Sequence, residues 1–181
     1  MVNYSDLLFE MIKKYAFKNG NYILSSGKRS KYYIDMRQIT LSSKGLFLCT
    51  ELVFDHIKDL DFTAIGGIEL SAVPIIGGIS LKLHGINPNY KYFVVRKESK
   101  NHGTQKLIEG QSLNNSDKVI IVDDVLTTGN SIVKVIDTID KLNCEIVKVI
   151  VLVDRDKGGK ELLNKLGIEV ESLFTIHDLM K

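Results

Sequence analysis

Two adjacent carboxylates, Asp123 and Asp124, stand just ahead of a hydroxyl-rich turn, Thr127-Thr128-Gly129-Asn130-Ser131. Acceptor-only groups suit vicinal sugar hydroxyls, or a magnesium ion bridging to them. The turn suits the opposite charge. Its successive backbone N–H groups converge on one concavity, Thr127, Thr128 and Ser131 add hydroxyl donors, and Gly129 lets an anion approach the main chain. A phosphate cup beside two carboxylates reads as a site for a ribose 5-phosphate. Such a cup needs a strand to deliver it and a helix to close it. Val119-Ile120-Ile121-Val122 has the β-branched pattern of a short strand buried on both faces. Beyond the turn, Ile132, Val133, Val135, Ile136 and Ile139 recur at helical spacing, so a helix adds its positive N-terminal end to the cup. An aspartate pair alone fits a solvated loop or a helix cap. The full run from apolar strand to Thr-x-Gly favours chemistry.

Other residues carry charge in places where ligands bind. Between residues 96 and 118 the apolar periodicity gives way, leaving only Leu107, Ile108 and Leu113. Arg96, Lys97, Lys100, His102 and Lys106 crowd positive charge there, with Gly103 and Gly110 as pivots. Long loops in compact domains are either functional lids or linkers, and one-sided charge favours a lid. Tyr22 to Asp35 reads as a hairpin with a basic turn around Gly27, which alone fits an exposed, solvated hairpin. Gly66-Gly67 fits a pyrophosphate cradle or the close packing of a helix on a sheet. Arg155, between Asp154 and Asp156, by itself fits a surface ion pair.

The remaining elements must bring these groups together. Apolar runs predict strands at 62–66, 92–95, 144–153 and 169–175. Helical spacing predicts helices over 4–17, from Ser42 or Ser43 to Leu60, over 72–83 with Pro74 in its first turn, and around Leu162–Leu166. Asn3 or Ser5 caps the first, and Asn19-Gly20-Asn21 breaks it. Strand–helix alternation implies an α/β fold, a mostly parallel central sheet flanked by helices. Ligands in such sheets bind at the carboxyl ends of the strands, where Asp123-Asp124, Gly66-Gly67, Arg96 and Arg155 all fall. With 181 residues, 44% hydrophobic and 25% charged, the chain reads as one soluble domain. A net charge of +2 is too small to argue for nucleic acid, although basic residues cluster at 28–31, 91–106 and 155–160. Cys49 and Cys144 lack metal-ligand spacing, so they are expected as buried free thiols in a reducing compartment. No signal or membrane-spanning run is apparent, which makes the cytoplasm the expected location, with no membrane partner.

Residues 119–131 resemble the phosphoribosyl-pyrophosphate (PRPP) motif of the type I phosphoribosyltransferases. Arg96-Lys97-Glu98-x-Lys100-x-His102-Gly103 resembles the catalytic loop of the orotate phosphoribosyltransferases, a spacing that other branches lack. Ser26-Gly27-Lys28-x-Ser30-x-Tyr32-Tyr33-x-Asp35 is similar to that family's N-terminal region. The resemblance implies a single domain, 1–181, with a small N-terminal β hood (about 1–40), a core (about 41–181) and a mobile catalytic loop at about 97–110. It implies a homodimer in which each loop closes over the partner's active site. PRPP would be bound by Arg96, Lys97, Lys100 and His102 of the loop, and by Asp123, Asp124, Val125, Leu126, Thr127, Thr128, Gly129, Asn130 and Ser131 of the motif. Lys100, His102 and Asp124 would be catalytic, and Tyr33, Ile34, Thr127 and Arg155 would contact orotate. Mg²⁺ would be held mainly by PRPP, near Asp123 and Asp124, with no direct protein ligand assigned. Relatives often carry lysine where this chain has Ser25, and again where it offers Glu69 and Ser71.

The implied reaction transfers the 5-phosphoribosyl group from PRPP to orotate, releasing pyrophosphate and forming orotidine 5'-monophosphate for pyrimidine biosynthesis. Loss of pyrophosphate leaves an oxocarbenium-like centre. Cations must stabilise the departing charge and a lid must exclude water; a loop of Lys, Arg and His does both. No Ser/His/Asp or Cys/His pair argues for a covalent nucleophile. Two alternatives stand beside this reading. A non-catalytic regulator that senses metabolites and binds nucleic acid would need a basic surface or an added DNA-reading module. A purine or uracil phosphoribosyltransferase would share the cup but not the loop and hood.

Overall fold

The computed structural model describes residues 3–23, 29–98 and 107–181. Lys100, His102 and Gly103 of the expected loop, and Ser25 to Lys28 of the expected hairpin turn, lie outside the described residues. The fold is α/β. A central sheet takes β3 (Ala64–Ile68), β4 (Lys91–Val95), β5 (Ile108–Gly110), β6 (Lys118–Leu126), β7 (Glu145–Asp154) and β8 (Val170–Thr175) in the order β5-β4-β3-β6-β7-β8. Every neighbouring pair is parallel except β4 with β5. A separate antiparallel pair, β1 (Phe17–Ile23) and β2 (Arg29–Ile34), forms the small N-terminal sheet.

Alternation along β6 shows how the sheet divides the core. Ile120 and Val122 pack with residues of α1 (Tyr4–Met11), α3 (Ser43–Ile57) and α4 (Ala72–His84). Val119 and Ile121 pack instead with Ile132, Val135, Ile136 and Ile139 of α5 (Asn130–Asp140). Side chains two apart share a face, so a continuous apolar run is what a strand covered on both sides requires. Shorter helices complete the layers: α2 (Arg37–Thr40), α6 (Gly159–Lys165) and α7 (Ile176–Met180). The chain moves from β3 outward to β4, then returns to lay β6 on the other side of β3 before continuing to β7 and β8. This reversal opens a crevice at the carboxyl ends of β3 and β6.

Several local expectations change. The first helix is shorter, because Asn3 caps α1 and a π-type turn over Ile12–Ala16 leads directly into β1. Asn19, Gly20 and Asn21 therefore lie within a strand, where a register shift between Asn19 and Tyr22 accommodates them. Strand β3 starts two residues later than expected and includes both glycines. Gly66 lies against the Phe93 ring, and Gly67 against the Val122 carbonyl and Ala72, so neither has room for a Cβ. Close packing, rather than a cradle, accounts for that pair. β5 was not foreseen: three residues pair antiparallel with β4, and the Arg96 amide donates to the Leu107 carbonyl at 2.8 Å. Sequence periodicity cannot reveal so short an edge strand.

Candidate active site

Strand β6 runs past Val122 and carries both aspartates as far as Leu126, with Asp123 opposite Val151 and Val125 opposite Val153 of β7. The carboxylates are therefore held by sheet geometry rather than by a loop. Asp123 is 5% exposed. Its Oδ1 accepts from Ser71 Oγ at 2.6 Å and from the Asp124 amide at 2.9 Å. Burial pushes its carboxyl up to about 7, and the neighbouring Asp124 charge adds to the rise. Burial likewise raises Asp124, with Asp35 adding repulsion. A group so disposed gains when a cation or donor arrives.

The turn after β6 forms a cup of about 70 Å³ lined by Asp123 and the residues from Val125 to Ile132. Gly129 has φ of +81°, a left-handed conformation that costs glycine least. It heads α5 with no side-chain cap, so the first amides of that helix face the cup without intrahelical acceptors. The wall is fixed from behind, where the Gly159 amide donates to the Thr127 carbonyl at 3.1 Å. Gly159 has no space for a Cβ against Leu126 and Thr127. Amides plus a helix N-terminus make an anion site.

A larger cavity of about 640 Å³ adjoins it, and Val125 and Thr127 line both. Tyr33, Ile34, Lys97, Asp124 and Arg155 also line it. Of the residues singled out from sequence, these and the residues of the turn line the two adjoining cavities, with Asp123 on the smaller and Asp124 on the larger. Arg96 lines neither cavity; its Nη1 is 3.6 Å from Glu109 Oε1 and its Nε donates to the Glu98 carbonyl at 3.3 Å. Lys97 is tied down at its amide, which donates to Glu69 Oε1 at 3.0 Å. Arg155 forms no ion pair with Asp154 or Asp156: Asp154 accepts from the Asp156 amide, and Asp156 meets His177 Nε2 at 2.8 Å.

Some lining residues had no role assigned from sequence. Asp35 and Arg37 form a two-point ion pair at 2.7 and 3.0 Å on the cavity wall. The Arg37 guanidinium holds the Asp35 carboxyl below its usual range. Ser71 is noted in the sequence without a role; here its hydroxyl donates to Asp123. Leu41, Leu70 and Val73 form an exposed apolar rim. Isolated apolar residues give no signal of their own, so only folding brings these three together.

Comparisons with known proteins show what the whole chain resembles. Residues 35–174 match the family model described as the phosphoribosyl transferase domain. Orotate phosphoribosyltransferase of Aquifex aeolicus is 39% identical over 96% of each chain. That of Nostoc sp. is 36% identical over 96% of this chain and 84% of its own. The crystal structure of the Mycobacterium tuberculosis orotate phosphoribosyltransferase in complex with PRPP superposes with a TM-score of 0.81, at 29% identity over 99% of this chain and 100% of that one. The chain belongs to the orotate phosphoribosyltransferase family.

Proposed function

We propose that the protein transfers the 5-phosphoribosyl group of PRPP to orotate, releasing pyrophosphate and forming orotidine 5'-monophosphate. The observation that carries this reading is the amide-lined cup opening into a larger cavity through shared Val125 and Thr127. The 5-phosphate sits on Thr128 to Ser131, and Asp123 and Asp124 take the ribose hydroxyls. Tyr33, Ile34, Thr127 and Arg155 surround the base. Lys100 meets the departing pyrophosphate, assisted by His102 and Lys97, while Arg96 anchors the loop at its root. Charge stabilisation of this kind acts mainly in the transition state.

Among the described residues no group of three His, Cys, Asp or Glu is placed to hold a metal ion. Magnesium would arrive on PRPP, taking one or two protein carboxylates and keeping its other ligands from phosphate and water. Asp124 lines the cavity and would be the carboxylate nearest the ion, since Asp35 on the same wall is paired with Arg37. When bound, the ion would supply charge neutralisation at the leaving group. A second copy of the chain suits the exposed rim of Leu41, Leu70 and Val73, in a homodimer whose loops cross to the partner's site. The buried free thiols Cys49 and Cys144 fit the reducing cytoplasm. No helix among the described residues is long and apolar enough to cross a membrane.

The test is to incubate the protein with PRPP and Mg²⁺ and with orotate, uracil, adenine or no base, following pyrophosphate release. Release with orotate alone is expected. Release with adenine or uracil in its place moves the assignment to another branch, and no turnover with any base leaves the regulator reading.

A further inference from the structure

Arg155 stands at the carboxyl end of β7, where its amide donates to the Leu126 carbonyl at 2.9 Å. Its Nε is buried and has no hydrogen-bond partner. The acids beside it in sequence are engaged elsewhere, as described above, and no carboxylate among the described residues pairs with its guanidinium. A long cationic side chain in that position still needs something to hold it. The group that does so is the ring of Tyr32, whose centroid lies 5.0 Å from Arg155 Cζ. Tyr32 is itself fixed: it is 7% exposed, and its ring packs on Phe17 at 5.9 Å. Its hydroxyl is also buried without a partner, so the hydroxyl does not explain the choice of residue. The ring face does.

A carboxylate holding Arg155 would use up the N–H donors that a ligand needs. An aromatic face attracts the same cation while leaving its in-plane donors open. We infer that Tyr32 is a positioning residue, which holds the Arg155 guanidinium toward the cavity with its donors free and thereby sets the affinity for orotate. This rests on the assignment of Arg155 to orotate made above. Tyr32 does not line the cavity, so it acts through Arg155 rather than on the base.

The test compares Tyr32→Leu, Tyr32→Phe, Arg155→Leu and the double variant Tyr32→Leu/Arg155→Leu in steady-state kinetics. Tyr32→Leu is expected to raise KM for orotate about tenfold, the scale of a desolvated cation–π contact, with KM for PRPP unchanged. Tyr32→Phe keeps the ring and restores the parent KM. In the Arg155→Leu background, removing the ring is expected to add nothing, because the two residues act as one unit. Equal rises in both KM values, or full additivity in the double variant, would overturn the inference in favour of a structural role. Tyr32→Met, which fills the space without an aromatic face, takes the place of Leu if that variant does not fold. An unchanged orotate KM in Arg155→Leu alone overturns the assignment of Arg155 itself. A large effect there beside none in Tyr32→Leu overturns only the role of Tyr32.

Discussion

Asp117 immediately precedes β6 and Asp123 lies in its carboxyl half, and both are buried. At the amino end, Asp117 accepts from Lys91 Nζ at 2.8 Å, Thr63 Oγ1 at 2.9 Å and the Asn114 amide at 2.7 Å. Burial works to raise its carboxyl, but the Lys91 ammonium, the Asn114 amide and the Thr63 hydroxyl outweigh it and hold the group below its usual range. At the carboxyl end, Asp123 has a hydroxyl and an amide but no cation among the described residues, and burial prevails. One end of β6 is completed by folding. The other is left short of positive charge where the strand order reverses. Burial alone therefore does not set a carboxylate's charge state; the presence or absence of a facing cation decides between these two.

The largest expected effect is on catalysis. Asp124→Asn should lower kcat/KM for PRPP about a hundredfold or more, the usual cost of one lost charged contact in the transition state, without lowering the urea midpoint. Retained activity would remove the contrast between the two strand ends. Asp117→Asn should do the reverse, losing about 2–3 kcal/mol of stability as a buried charged hydrogen-bond network is broken, with kcat unchanged per folded molecule. Because the Asp117 carboxyl is depressed in the folded state, its charge stabilises the fold above the ordinary carboxylate pKa of about 3.9 and ceases to as pH falls below it. The deficit of the variant should therefore narrow in acid. The smallest effect is expected for the stability of Asp123→Asn. The raised Asp123 carboxyl favours the fold while protonated, and that advantage is lost as pH rises through about 7. The variant should match the parent near pH 4 and exceed its urea midpoint at pH 8; equal midpoints at both pH values would show that Asp123 is not held in its neutral form.

The features legible in the sequence were those with a local pattern. The apolar run into Asp123-Asp124, the small residue at Gly129 and the helical spacing after it each state their own geometry, and the turn between β6 and α5 stands where they put it. Ser71 is different. Its hydrogen bond spans more than fifty residues of chain, and only the placing of β3 beside β6 creates it. The glycines of β3 carried a pattern with two meanings, and Phe93, on another strand, decides between them. Tyr32 likewise looked like one more aromatic of the hairpin until Arg155 came to rest on it. Contacts of this kind depend on topology, which periodicity does not encode.

The clasp between Val95-Arg96 and Leu107-Ile108 has a consequence for the length of chain that can be inserted between its two sides. Its two sides are already joined by a strand pair and an amide-to-carbonyl bond, so the span between them begins and ends on one small footing. Closure entropy grows only with the logarithm of length, so doubling that span costs about 0.6 kcal/mol. Insertions between its two sides are expected to leave the strength of the sheet beneath nearly unchanged.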